Sequence, residues 1–116
     1  MKTIQIKRVY EDKSKDDGHR ILIDRLWPRG VSKEDAHFDE WMKELAPSTE
    51  LRKWFDHKPE RFEEFSKRYK KELAEKKELL DKLKELAKKR KVTLLFAAKD
   101  SEINNAVVIK DILMRK

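Results

Sequence analysis

The chain has no cysteine, only two glycines and three prolines in 116 residues. Without cysteine there is no disulfide framework, no thiolate nucleophile and no cysteine-ligated zinc. Two glycines cannot supply a glycine-rich phosphate loop. No apolar run approaches the roughly 18 residues of a membrane span, so no membrane association is expected. The three histidines, His19, His37 and His57, show no metal-ligand spacing and no obvious partner, so they read as surface or turn residues and no metal site is expected. Nothing assigns a cofactor. The opening Thr3-Ile4-Gln5-Ile6 alternates like a strand instead of forming an apolar leader, and the economical reading is a cytoplasmic protein.

Charge is abundant: 46% of residues are Asp, Glu, Lys or Arg, with a net charge of +7. The surplus is local. Residues 67–91 hold twelve Lys/Arg against five Asp/Glu, which accounts for the whole excess. Glu-to-cation spacings of four occur at Glu64/Arg68, Glu72/Lys76, Glu78/Lys82 and Glu85/Lys89, and such pairs each support an exposed helix by about 0.2–0.5 kcal/mol. A solvated helix face explains this segment. A nucleic-acid footprint is the alternative, although no aromatic residue interleaves with Lys88-Lys89-Arg90-Lys91.

Three segments pattern as strands: 3–9, 20–27 and 92–98. The last two are almost continuously apolar, as strands covered on both faces are. The loop EDKSKDDGH around Gly18 separates the first two. Its nine residues are short for a parallel crossover, which usually takes a dozen or more, so the direction of the first strand stays open. Ser32 with Asp35 resembles a capping box, and Phe38, Trp41, Met42 and Leu45 follow at helical spacing, predicting a helix that Pro47 ends. Ser48 or Thr49 caps a short helix carrying Leu51, Trp54 and Phe55. Pro59 opens a third with the stripe Phe62, Phe65, Tyr69 and Leu73. Lys76 interrupts that stripe before Leu79 or Leu80, Leu83 and Leu86, predicting a break near 75–77. The last helix is expected from about Ser101. Its apolar residues Ile103, Ala106, Val107, Ile109, Ile112 and Leu113 cover too broad an arc for one sheet, which suggests a homodimer through this helix. The expected fold is one α/β domain over 1–116, with a small, largely parallel three-stranded sheet flanked by about five helices. Its radius of gyration should be about 13 Å.

The stretch DRLWPRG, residues 24–30, carries the chemistry. Pro28 ends the strand by withholding a ladder donor and holding Trp27 extended. Gly30 permits a positive φ, and a helix opening at Ser32 would present free amides and a partial positive charge to an anion. Arg25 and Arg29 add planar forks suited to phosphate or carboxylate. Alternatives stand beside this: Trp27 as a packing residue, Asp24 and Arg25 as a structural pair, Arg29 as a solvated loop residue. The first strand ends Lys7-Arg8-Val9-Tyr10, and the third ends Lys99-Asp100, followed by Asn104-Asn105 in the next helix's first turns. If the strands are parallel these ends meet at one edge, where open α/β sheets bind ligands. Asp24 and Asp100, on different strands, could work as an acid–base pair.

The motifs KRVY, DGHRILIDRLWPRG, LAPSTELRKWF and LLFAAKD, spread over almost the full chain, resemble the YeaO-like branch of a bacterial and archaeal domain-of-unknown-function family. The resemblance implies a compact cytoplasmic α/β protein and supports Arg8, Tyr10, Asp24, Arg25, Trp27, Arg29, Lys99 and Asn104 as ligand-binding positions. It brings no activity. Related chains commonly have His at the position of Asn105, and more distant ones Cys-His-Arg around 104–106, where this chain has Asn104-Asn105-Ala106. The expectation is therefore a small anionic ligand at the strand ends, with catalytic residues unknown. The alternatives are a nucleic-acid module using 67–91 and a dimerising interaction protein.

Overall fold

Four short apolar segments make the sheet: β1 (Ile4–Arg8), β2 (His19–Leu22), β3 (Glu40–Trp41) and β4 (Val92–Phe96). The computed structural model describes residues 4–100 and 102–114. The strand order is β1-β4-β2-β3 and every pairing is parallel. β4, central and buried at all five positions, is the nearly continuous apolar run VTLLF. Four helices follow from the remaining described sequence: α1 (Thr49–Phe55), α2 (Phe62–Ala74), α3 (Lys77–Lys89) and α4 (Asn105–Met114). The α/β class and the parallel sheet thus agree with expectation, with one more strand and one fewer helix. The radius of gyration is 13.5 Å. No helix among the described residues is long and apolar enough to cross a membrane.

Alternation along the strands divides the sheet into two unlike faces. Ile4, Ile21, Ile23, Val92, Leu94 and Phe96 share one core with Leu51, Phe55, Phe65, Tyr69, Leu73, Leu83 and Ile109 from the helices. The opposite face carries Val9, Leu22 and Leu95, covered by Phe38 and Trp41 from non-helical chain. It also holds the cross-strand row Gln5, Thr93 and Arg20, set side by side by the register. This polar row lies under the connection from β1 to β2. Asp17, 1% exposed, enters it. Its carboxylate accepts from Gln5 (2.9 Å) and Lys7 (3.2 Å) and from the Arg20 guanidinium, while its carbonyl accepts from Thr93 Oγ1 at 2.6 Å. Burial alone would push the Asp17 carboxyl up, but the Ser14 amide, Lys7 and Arg20 together hold it below the usual carboxylate value.

The first strand can run parallel because this connection spans the sheet with no more than a 3-10 turn at Lys15–Asp17. A five-residue strand is about 17 Å long, whereas ten extended residues reach about 33 Å. Gly18 makes the docking possible: at φ +65° a Cβ there would sit 2.2 Å from the Lys91 carbonyl oxygen, which accepts from His19 N at 2.9 Å.

Four local expectations are corrected. The helix expected from Ser32 through Leu45 does not form. Ser32 and Asp35 close a turn (Asp35 N to Ser32 Oγ, 3.2 Å), His37 has φ +42°, and Glu40–Trp41 join β2 as the fourth strand instead. The ladder bonds Asp39 N to Arg20 O and Met42 N to Leu22 O, both 2.8 Å, outweigh a helical periodicity whose hydrophobic partners lie on the sheet. The strand expected over 20–27 ends at Leu22, and that over 92–98 ends at Phe96. The last helix begins at Asn105; Ser101 lies outside the described residues, as does Thr3.

The break near 75–77 is present: α2 stops at Ala74 and α3 starts at Lys77, with Lys76 between them at φ −115°, ψ 35°. Pro59 opens a 3-10 turn that runs into α2. The broad apolar arc of α4 is used inside the subunit, because the helix lies against β1 and β4 on one side and α2 and α3 on the other. That placement accounts for the pattern that suggested a dimer.

Asp17→Ala should therefore cost about 3–5 kcal/mol in urea unfolding, since it leaves Arg20 buried and unpaired. Because the folded Asp17 value lies below the unfolded one, its contribution is present above about pH 4 and is lost as pH falls through the folded value. The stability-versus-pH slope on the acid side should be shallower in Asp17→Asn. Gly18→Ala should fail to reach wild-type stability by at least about 1–3 kcal/mol, from backbone strain plus the carbonyl clash.

Candidate ligand cleft at the strand ends

Beyond Leu22 and Leu95 the central strands part. β2 continues toward the loop-covered face, where Trp27 meets Phe38 and Trp41, while β4 leads into α4 on the helical face. Ile23 N still bonds Leu95 O at 3.1 Å. One residue later a side chain replaces the backbone: Asp24 Oδ2 accepts from Ala97 N at 2.9 Å. The gap opens a cleft of about 470 Å³ bordered by Tyr10, Asp24, Arg25, Leu26, Trp27, Pro28, Arg29, Ala46, Pro47, Arg52, His57, Ala97, Ala98 and Asn105. Such a position, where neighbouring strands send their chains to opposite faces, is where parallel sheets hold ligands.

The floor is a polar cluster. Asn105 Nδ2 donates to Asp24 Oδ1 at 3.0 Å and lies near Ile23 O at 3.4 Å. The buried Tyr69 hydroxyl donates to Leu45 O and is also within reach of Asn105. Burial drives the Tyr69 phenol well above its ordinary value, reinforced by the negative charges of Asp24 and Glu72. Burial likewise pushes the Asp24 carboxyl up, against the opposing pull of Asn105, the Ala97 amide and the nearby His57 and Arg52.

Arg25 and Asp24 do not pair. Arg25 Nη2 makes a long contact of 3.4 Å to Pro47 O, and Nε is buried without a hydrogen-bond partner among the described residues. Arg52 from α1 and His57 from the turn after it also border the cleft. That turn is strained: Asp56 and His57 both lie in the left-handed region, at φ +49° and +53°. With Arg29 the cleft has three arginines against one carboxylate.

Not every residue expected at the edge faces this space. Arg8 is turned along the sheet end, with Nε donating to Ala98 O at 2.9 Å and its guanidinium 5.0 Å from the Tyr10 ring. Lys99 is exposed and outside the lining. Asn104 is 2% exposed and serves α4 as an N-cap: its Oδ1 accepts from Val107 N at 3.0 Å. Its neighbour Asn105 lines the cleft instead, because one helical step turns the side chain by about 100°. Asp100 folds into a turn, accepting from Glu102 N and Ile103 N at 2.8 and 3.1 Å, so it does not join Asp24. Tyr10, Asp24, Arg25, Trp27 and Arg29 are brought together. Arg52 and His57 were missed, and Asn105, expected at the converging edge but not as a ligand position, lines the cleft where Asn104 does not. An arginine in a helix and a histidine after it carry no local signal of where they point.

The basic segment 67–91 is divided between α2 and α3. Arg68 pairs with Glu64 (2.9 Å), as its spacing suggests. Lys82 turns to Glu40 (3.0 Å) and Lys88 to Glu85 (3.1 Å), Lys70 meets Asp111 (3.0 Å), and Glu72 instead caps α1 by accepting from Ser48 N and Oγ at 2.8 and 2.6 Å.

Comparison with known proteins places these features in a family. A family model described as "Inactive DUF488-N3 subclade" matches residues 3–116. The Escherichia coli "Uncharacterized protein YeaO" is 47% identical over 93% of this chain and 94% of its own length. The Mycobacterium tuberculosis "Uncharacterized protein Rv3073c" is 42% identical over 95% of this chain and 92% of its own. No solved structure matches.

Three substitutions check this geometry by thermal or urea melts. Arg25→Ala should leave stability within about 1 kcal/mol of the wild type or raise it, since it breaks no ion pair and removes a buried unmet donor. Asp24→Ala should cost about 1–3 kcal/mol by stranding the Ala97 and Asn105 donors. Asp56→Gly should raise stability by roughly 0.5–1 kcal/mol, the left-handed penalty less glycine's unfolded-state entropy.

Proposed function

Because this chain belongs to the inactive DUF488-N3 subclade, we propose that it binds a small phosphate- or carboxylate-bearing ligand in the strand-end cleft without transforming it. The observation that carries this reading is Arg25: its guanidinium makes no ion pair, its Nε is buried with no partner among the described residues, and the residue borders a cleft that Arg29 and Arg52 also border. A buried donor left unmet costs about 1–3 kcal/mol, and an oxyanion arriving there would meet it with a charge-assisted bond. The turn at Asp56–His57 supports the same reading, since strained backbone persists where a side chain must be held in place.

Binding without turnover is supported by the floor chemistry. Asn105 is the side chain that hydrogen-bonds the Asp24 carboxylate, and a carboxamide neither takes nor gives a proton near neutral pH. The chain has no cysteine to act as nucleophile, and the subclade is described as inactive.

In a thermal-shift titration inorganic phosphate should raise the melting temperature of the wild type. A concentration 100 times the dissociation constant corresponds to about 2.7 kcal/mol. Arg25→Ala and Arg52→Ala should each weaken the response, and the double variant should abolish it. An unchanged response in the double variant would refute the site.

The nucleic-acid reading of 67–91 is the weaker one, because four of its cations already face carboxylates. It requires retardation of DNA or RNA at about 50 mM salt. It also requires the slope of log K against log salt to flatten by roughly 0.9 for each of Lys88, Lys89, Arg90 and Lys91 that neutralises a duplex phosphate and is then replaced. The expected result is no retardation.

A further inference from the structure

We propose that the occupant of the strand-end cleft is an amphipathic anion, a small molecule joining one anionic head to a compact apolar or aromatic body, rather than a free inorganic ion. This deepens the anion-site reading and rests on it.

The observation is where the exposed hydrophobic surface lies. Among the described residues the large hydrophobics left exposed are Tyr10 (44%), Leu26 (59%), Trp27 (37%) and Met114 (46%), and the first three border this one cleft. Scattered exposed apolar residues need no explanation, but three of them around a concave, cationic site form a patch that a ligand can cover.

The two rings have their polar ends tied off within the protein. Tyr10 OH donates to Arg29 O at 2.9 Å and Trp27 Nε1 donates to Val31 O at 2.6 Å. What they offer the cleft is therefore ring surface, not a donor. Both rings are also held in place. The Arg8 guanidinium lies 5.0 Å from the Tyr10 ring centroid, and Trp27 packs on Phe38 and Trp41 at 5.3 and 5.6 Å. A surface already ordered loses little entropy when a ligand covers it.

Size agrees. A cleft of about 470 Å³ lies within the range of about 300–1,000 Å³ typical of small-molecule sites. A bare oxyanion would leave most of it filled with water against Leu26 and Trp27. The apolar rim comes from Tyr10 and the 26–28 stretch, whereas Arg52 and His57 come from α1 and its following turn. One ligand with two unlike ends satisfies both groups of residues.

The test compares matched pairs of ligands by calorimetry on the full chain: phenyl phosphate against inorganic phosphate, and benzoate against acetate. The expected result is at least a ten-fold tighter dissociation constant for the aromatic member of one pair. That factor is 1.4 kcal/mol, the yield of burying about 55 Å² of apolar surface. Leu26→Ser, at an exposed position, should bring the ratio below about three, and Arg25→Gln should weaken both members of the pair. A ratio near one in both pairs, with the inorganic anion still bound, overturns this inference and leaves the anion site standing. A ten-fold preference that Leu26→Ser does not reduce also overturns it, since the apolar body would then lie elsewhere. Absence of binding by all four ligands overturns the anion-site reading and this inference together.

Discussion

The buried carboxylate of Asp17 is the group on which this small sheet depends. Arg20, Thr93 and Gln5 form a polar row across three strands, on the face that loops cover and helices do not. Such a row is costly to bury unless each group finds a partner. Asp17 supplies partners to all three and to Lys7, and its own backbone closes on Thr93. The ten residues between β1 and β2 therefore act as both crossover and lid. With a parallel β1 installed by so short a connection, α4 is free to lie between the sheet and α2 and α3, and the helical core closes on one side only.

The same asymmetry opens the cleft. Loops cover one face and helices the other, so the chain leaving β2 and the chain leaving β4 turn opposite ways. Asp24 bridges the resulting gap with its side chain, bonding the Ala97 amide that a backbone carbonyl would otherwise meet. A carboxylate in that role lies half inside the protein with its value raised by burial. It is a structural peg that no arginine pairs with directly: Arg25 contacts Pro47 O instead, and Arg52 and His57 act on it only through space.

Strain and exposed apolar surface both gather at this place. The left-handed Asp56 and His57, the unmet Arg25 Nε and the bare Leu26 side chain are each unfavourable in the free protein. Elsewhere the described chain is well satisfied, as in the capped α1 and the paired cations of α2 and α3. His37, at φ +42°, and the exposed Met114 break such rules elsewhere, but only at this cleft do several fall together, which marks a surface shaped for something other than stability.

Much was legible in the residues themselves. The nearly continuous apolar run VTLLF reads as a strand covered on both faces, the stripe Phe62, Phe65, Tyr69, Leu73 as a helix, and Lys76 as its interruption. Those outcomes depend on neighbours within one or two turns, so the chain specifies them locally. The crowding of Tyr10, Asp24, Arg25, Trp27 and Arg29 at one edge needed only parallel strands, although the strand leaves the sheet at Leu22 and not at Pro28. Tertiary structure alone decided the rest. Phe38, Trp41 and Met42 have helical spacing, yet ladder bonds to β2 made Glu40–Trp41 a strand, since a partner distant in sequence overrode local periodicity. Likewise Asn104 and Asn105 are equivalent as letters; the angle at which α4 meets the sheet makes one a cap and the other the floor of the cleft. Arg52 and His57 reach that cleft because α1 ends beside it, a fact of packing between elements that no stretch of sequence contains.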